Sequence, residues 1–216
     1  MKSLADCRLY TFVDVGYLRG RDPLTLAARL CDGGADLIQL RAKDWPADRV
    51  ERLAAQLLPI CDMSGVLLVI NDHPEVAARI GAPLAHLGQE DFFDAGRTHV
   101  SEVLPQRVKV RIGLSSHAPE QAQRALAAGA AYVAVGPVYP TPTKPGRPGV
   151  TLEYVRWAAA TINDRPWFAI GGIHAANLDD ILEAGATRIC IVSAILDSPD
   201  IAAACREFRR RLPSVV

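Results

Sequence analysis

One pattern recurs along this chain and leaves few folds open to it. A short apolar run ends in a cluster of polar residues, and a helix-compatible stretch follows. Candidate strands fall at roughly 8–14, 36–41, 67–71, 84–88, 110–115, 132–137, 167–171 and 188–193. They are near-continuous apolar runs rather than strict alternations, as expected of parallel strands covered on both faces. Helical stretches lie between them, at Pro23 to Cys31, Ala47 to Cys61, Pro74 to Ile80, Pro119 to Ala128, Leu152 to Ile162 and Ala176 to Ala184. Pro199 to Arg211 makes a closing helix. Gly34-Ala35, Gly81-Ala82, Gly129-Ala130 and Gly185-Ala186 each end a helix and precede a strand. Glycine supplies the left-handed residue that stops a helix, and the small alanine lets the chain turn tightly into the sheet. Regular strand–helix alternation argues for α/β. Eight units with no second domain favour a closed (β/α)8 TIM barrel over an open doubly wound sheet. The 216 residues suit one such domain, spanning 1–216.

Charge excludes some functions. The 24 basic and 24 acidic side chains cancel, whereas a nucleic-acid binder carries a basic excess or stripe. Arg209-Arg210-Arg211 is the densest basic run, but it ends the last helix, where cations complement the dipole. No apolar stretch approaches the roughly 18 residues of a membrane span, and Met1 to Cys7 lacks the apolar region of a signal peptide. The cysteines Cys7, Cys31, Cys61, Cys190 and Cys205 show no metal or redox spacing. They read as small core residues in a reducing, cytoplasmic compartment.

In a barrel of parallel strands the carboxyl ends share one face, and the loops there carry the chemistry. Asp72 and Asp91 follow the third and fourth strands. Adjacent strands lie about 4.8 Å apart, so the two carboxylates are close enough to share a cation. Hard oxygen ligands beside a phosphorylated partner point to Mg²⁺. Two plainer readings stay open: Asp72 as a cap of the helix that Pro74 begins, and Asp91 as a surface acid with Glu90 as a competing ligand. Gln39, Arg41 and Lys43 alternate at the end of the second strand and share one side. Inside a barrel such charges must be paired or bind an anion. Gly171-Gly172 and Val192-Ser193 follow the seventh and eighth strands, the usual phosphate site of such barrels. The segment Pro140 to Gly149 is too rich in proline and glycine for a regular element. It reads as a lid or binding loop bearing Thr141, Thr143 and Lys144. Ser115-Ser116-His117 lacks the nucleophile-elbow motif of serine hydrolases, which leaves Ser115 as a hydrogen-bond donor to substrate. His86, inside an apolar strand, reads as a satisfied core histidine.

The segments Gln39 to Lys43, Ile70-Asn71-Asp72, His86 to Asp91, Pro140 to Lys144, Ala169 to Ile173 and Val192 to Ile195 resemble, in this order, the thiamin phosphate synthase family. Each piece is weakly specific and the ordered set strongly so. The resemblance implies a TIM barrel that joins a 4-aminopyrimidine diphosphate to a thiazole phosphate, releasing pyrophosphate. It further implies that Gln39, Arg41, Lys43 and Asn71 hold the pyrimidine diphosphate, and that Asp72 and Asp91 bind Mg²⁺. Ser115 and Lys144, the implied catalytic residues, contact the diphosphate and pyrimidine. Thr141, Thr143, Gly172, Val192 and Ser193 hold the thiazole phosphate. The partners expected are these small molecules, without nucleic acid or membrane; a homodimer is allowed. Phe92 to Val110 looks longer than the family pattern, and the first strand is only loosely similar.

Three rival readings differ in chemistry. A thiazole tautomerase of the same superfamily shares the barrel and thiazole phosphate site, but the family resemblance implies a proton-shuttling histidine where this chain carries Pro137. A non-catalytic phosphate-ligand-binding barrel has no need of two carboxylates beside two cations. A sugar-phosphate isomerase requires a general acid/base pair at strand ends, and none stands out.

Overall fold

The computed structural model describes residues 2–141 and 149–214. Eight parallel strands close into a barrel: β1 (Leu9–Asp14), β2 (Leu37–Arg41), β3 (Leu67–Asn71), β4 (Leu84–Leu87), β5 (Arg111–Ser116), β6 (Tyr132–Val135), β7 (Trp167–Ile170) and β8 (Ile189–Cys190). Each pairs with the next in sequence, and β8 returns to β1. The outer layer comprises α1 (Pro23–Asp32), α2 (Ala47–Met63), α3 (Pro74–Ile80), α4 (Gln89–Phe93), α5 (Pro119–Ala127), α6 (Thr151–Thr161), α7 (Leu178–Glu183), α8 (Ser193–Leu196) and α9 (Ile201–Arg211). The expected (β/α)8 barrel is the observed fold. The four Gly-Ala turns behave as expected: Gly34, Gly81, Gly129 and Gly185 have φ of 84°, 80°, 84° and 97°.

Some elements differ from expectation. β8 is two residues long rather than six, because Val192 (φ −111°, ψ −86°) leaves the extended region and caps α8. Ile191 nevertheless continues the ladder, donating its amide to the Tyr10 carbonyl at 2.9 Å. β6 stops at Val135, ahead of Pro137, which has no amide to donate. The long stretch after Asp91 is ordered by its own contacts. Phe92 and Phe93 are buried, Arg124 stacks 3.7 Å from the Phe93 ring centroid, and Val100–Glu102 forms a 3-10 turn.

Register decides what faces the barrel axis. Phe12 lies beside Gln39, Asp14 beside Arg41, and Asn71 beside His86. His86 lies beside Gly113, Gly113 beside Tyr132, and Ile170 beside Cys190. Below the carboxyl-end face, Tyr10, Tyr132 and Phe168 pack edge-to-face with centroids 5.4–5.8 Å apart, a favoured aromatic geometry. The opposite end is clasped by Asp36, 1% exposed. It accepts from the amides of Arg8 and Leu9 at 2.7 and 2.9 Å and pairs with Lys2 and Arg209. Among the described residues no helix is long and apolar enough to cross a membrane.

Candidate active site

A cavity of about 460 Å³ opens at the carboxyl ends of the strands. Its cationic edge comes from β2 and the loop after it. Gln39, Arg41 and Lys43 all line the cavity, so the alternation along the strand end does aim them to one side. Arg41 is not a lone cation: its Nη1 donates to Asp14 Oδ2 at 2.9 Å, and Asp14 Oδ1 accepts from the Gly16 amide at 2.9 Å. Asp14 is 2% exposed, so the guanidinium is held over the cavity by a buried carboxylate.

The acidic edge comes from β3 and β4. Asn71, Asp72, Glu90 and Asp91 line it. Asp72 is not a helix cap; that position in α3 belongs to His73, whose side chain makes no capping bond. Asp72 instead adopts a left-handed φ of 61°, strained for a residue with a side chain. Its amide donates to the His86 carbonyl at 2.9 Å, and its Oδ2 accepts from Asn71 Nδ2 at 2.6 Å. Burial pushes the Asp72 carboxyl above its ordinary range, and the negative charge of Asp91 adds to the shift. Asp91 is exposed, with its carboxylate folded over Gly88, where a Cβ would collide with it. Asp72 and Asp91, with Glu90 beside them, are the carboxylates that line this edge. No cluster of three or more acidic, histidine or cysteine ligands occurs among the described residues.

The third edge is neutral. Gly171 and Gly172 have φ of 101° and 65°, and a Cβ on Gly172 would lie 2.7 Å from the Tyr139 Cβ. Only glycine lets β7 turn there against the segment after β6. Asn177 Nδ2 fixes the turn through the Gly172 carbonyl at 2.9 Å. Gly172, Val192 and Ser193 line the cavity, with α8 starting at Ser193, and Thr141 joins them. Thr143 and Lys144 lie outside the described residues.

Ser115 is 6% exposed; its Oγ accepts from the Gln89 amide at 3.1 Å, which leaves its own proton to donate into the cavity. Ser116 faces away: its hydroxyl donates to the Ala134 carbonyl at 3.0 Å and accepts from Tyr154 at 2.7 Å. His117 lines the cavity with Nδ1 on the Gly136 carbonyl and Nε2 3.8 Å from Glu90. Ser116 and His117 thus turn to different partners. Pro137 lines the cavity where a tautomerase reading needs an exchangeable proton.

Sequence reasoning brought eleven of its site residues to this one cavity and missed others. Asp14 was legible in hindsight, as an acid ending β1 in register with Arg41. Tyr10, His86 and Tyr132 form a hydrogen-bonded set beneath Gln39. His86 is satisfied, as expected, yet it also lines the cavity. Nothing in the local sequence marks that set, because its members come from β1, β4 and β6.

Comparison with known proteins identifies the family of this chain. The thiamine monophosphate synthase family model matches residues 9–195. A thiamine-phosphate synthase of Thermus thermophilus is 48% identical over 187 residues, covering 87% of each chain. That of Acidothermus cellulolyticus is 46% identical over 212 residues, covering 97% of each. The solved structure of a thiamine phosphate pyrophosphorylase from Pyrococcus furiosus superposes with a TM-score of 0.82 at 27% identity, covering 96% of each chain. With the family's model spanning the barrel from β1 into α8 and relatives matching nearly end to end, this chain belongs to the thiamine monophosphate synthase family.

Proposed function

We propose that this chain is a cytoplasmic, single-domain, Mg²⁺-dependent transferase that makes thiamine phosphate from 4-amino-5-hydroxymethyl-2-methylpyrimidine diphosphate and thiazole phosphate. The observation that carries the reading is the division of one cavity into a cationic, an acidic and a neutral phosphate-compatible edge, in a chain of this family. Arg41 and Lys43 are assigned to the diphosphate, the first as a fork and the second as a point charge. Gln39 and Asn71 are assigned to the pyrimidine. Gly172, Val192 and Ser193, with the hydroxyls of Thr141 and Thr143, take the thiazole phosphate.

Asp72 and Asp91 fit Mg²⁺: a cation between them would offset both the burial and the mutual repulsion that raise the Asp72 carboxyl. An ion held by these residues would supply positive charge to the leaving diphosphate. The bond that breaks joins the pyrimidine methylene to the diphosphate oxygen, which leaves with the electron pair. The bond that forms uses the lone pair of the thiazole nitrogen on the same carbon. No protein nucleophile or general base is consumed. The residues bind, orient and stabilise charge, with Ser115 and Lys144 acting as donors near the reacting groups.

The test is product formation from the two substrates with Mg²⁺ and then with excess EDTA. Product only with Mg²⁺ is expected. Asp91→Ala and Lys144→Ala should lose turnover while the fold survives. Full activity in both would remove the site assignment, and no product from well-folded wild-type protein would remove the function.

A further inference from the structure

A chain of hydrogen bonds runs beneath the cavity. Gln39 Nε2 donates to the Tyr10 hydroxyl. Tyr10 and Tyr132 hydroxyls lie 2.9 Å apart, and the Tyr132 hydroxyl is 3.0 Å from His86 Nδ1. Gln39 is 3% exposed, Tyr10 1% and Tyr132 0%. Burial holds both phenols well above their ordinary range, so each is a hydroxyl with one proton to give. Gly113 makes the chain possible: it lies in register between His86 and Tyr132, and a Cβ there would run into the Tyr132 ring. The imidazole and phenol rings stack across it, with centroids 5.6 Å apart.

Only two polarities of such a chain use both buried phenol protons within it, and the others leave a buried O–H unpaired. In one, the Gln39 amide N–H donates to Tyr10, Tyr10 to Tyr132, and Tyr132 to an accepting His86 Nδ1. In the other, every bond is reversed, and Gln39 must turn its amide oxygen toward Tyr10. The polarity therefore fixes which way the buried amide faces. In the first state the Gln39 edge on the cavity offers Oε1 as acceptor and the second Nε2 hydrogen as donor. That edge complements a ring carrying an amino group beside a ring nitrogen, as Gln and Asn complement adenine. It mismatches a ring carrying an oxo group beside an N–H.

We infer that Tyr10, Tyr132 and His86 are positioning residues that lock the amide orientation of Gln39, and so set the preference for a 4-amino over a 4-oxo pyrimidine. This rests on the proposed function only in taking the pyrimidine as the ligand beside Gln39. A polar site matched to one pattern of donors and acceptors rejects the mismatched analogue strongly, because its own groups would be left unpaired.

The experiment measures calorimetric binding of the 4-amino and 4-oxo pyrimidine diphosphates, with condensation kinetics alongside. Wild type should favour the amino compound by about 10⁴-fold, of the order seen when a matched polar site loses a partner. Tyr132→Phe keeps the ring packing and removes only the link. It should cut that preference by about tenfold or more, the worth of one buried hydrogen bond. The KM for the pyrimidine should rise more than kcat falls, and the KM for thiazole phosphate should not move. His86→Leu should do the same, and His86→Gln, which restores an acceptor, should recover part of the preference. In Gln39→Leu, adding Tyr132→Phe should change the preference no further. A preference unaltered in both Tyr132→Phe and His86→Leu overturns the inference, as does a wild type that binds both compounds alike. Should Tyr132→Phe fail to fold, the two His86 variants decide. Failure of the proposed function reads differently, as absent condensation whatever the binding preference.

Discussion

Asp14→Asn tests the support beneath the cationic edge. Asparagine has the same shape but one acceptor oxygen, so it can satisfy Arg41 or the Gly16 amide and not both. The other contact becomes donor against donor in a site where Asp14 is 2% exposed. Coulomb attraction at the observed 2.9 Å is roughly 6 kcal/mol at an effective dielectric of about 20. Desolvation offsets most of it, and a charge-assisted bond is worth about 1.5–3 kcal/mol net. The Arg41 side chain is 23% exposed, which favours the lower half of that range. A loss of about 1.5–2 kcal/mol lowers the melting temperature by about 3–8 °C for a chain of this size. Arg41 also regains rotamer freedom that the diphosphate must then remove. Re-ordering at about 1–1.5 kcal/mol, out of the roughly 2 that an arginine carries, costs about tenfold in kcat/KM. Scanning calorimetry and initial rates with varied pyrimidine diphosphate measure the two effects. Combining Asp14→Asn with Arg41→Gln should recover part of the stability loss, since the uncompensated charge goes with it. A melting temperature within about 1 °C of wild type, together with an unaltered kcat/KM, would refute the reasoning.

Three further outcomes are expected. Gly113→Ala places a methyl against the Tyr132 ring and should cost about 1–3 kcal/mol by overpacking, read by calorimetry, together with a weaker preference for the 4-amino pyrimidine. Asp36→Asn removes the charge that Lys2 and Arg209 share at the far end of the barrel. It should destabilise by about 3 kcal/mol while leaving both substrate KM values in place; a rise in either would mean that the clasp reaches the site. Thiol reactivity should be uneven. Burial pushes the Cys7 and Cys205 thiols up to about 12, and the thiolate is the reactive form. Cys31, half-buried, is lowered by its hydrogen bond with the Cys61 thiol. An aromatic disulfide reagent at pH 8 should therefore label Cys31 first, as read by peptide mass spectrometry, and Cys7 and Cys205 only as the protein unfolds.

The barrel was legible because its signals are local. Apolar runs mark the strands, and Gly34, Gly81, Gly129 and Gly185 mark where helices must stop. The cavity edges were legible for a related reason: in a parallel barrel, position at a strand end is position at the site. What escaped was pairing between strands. Asp14 looks like any strand-end acid until register sets it beside Arg41. The link between Tyr10 and Tyr132, 122 residues apart in sequence, exists only because the barrel closes. Element ends escaped where backbone conformation rather than composition decides them. Val192 is apolar and reads as strand, yet its backbone turns out of β8 to begin α8.

The two ends of the barrel hold buried Asp36 and half-buried Asp72 in opposite ways, and the contrast bears on the proposed cation site. Asp36 is saturated by two backbone amides and two cationic side chains, so nothing further is needed to hold its charge. Among the described residues Asp72 has a single side-chain donor, with a left-handed backbone and a second carboxylate within range. An under-satisfied acid in strained backbone persists only where surrounding structure imposes it. If burial were the only demand on Asp72, asparagine there would be better tolerated than aspartate. Asp72→Asn should accordingly leave the protein as stable as wild type or more so, while Mg²⁺-dependent turnover falls by orders of magnitude. A variant both less stable and still active would mean that the carboxylate serves the fold instead, and the acidic edge would lose its role in the reaction.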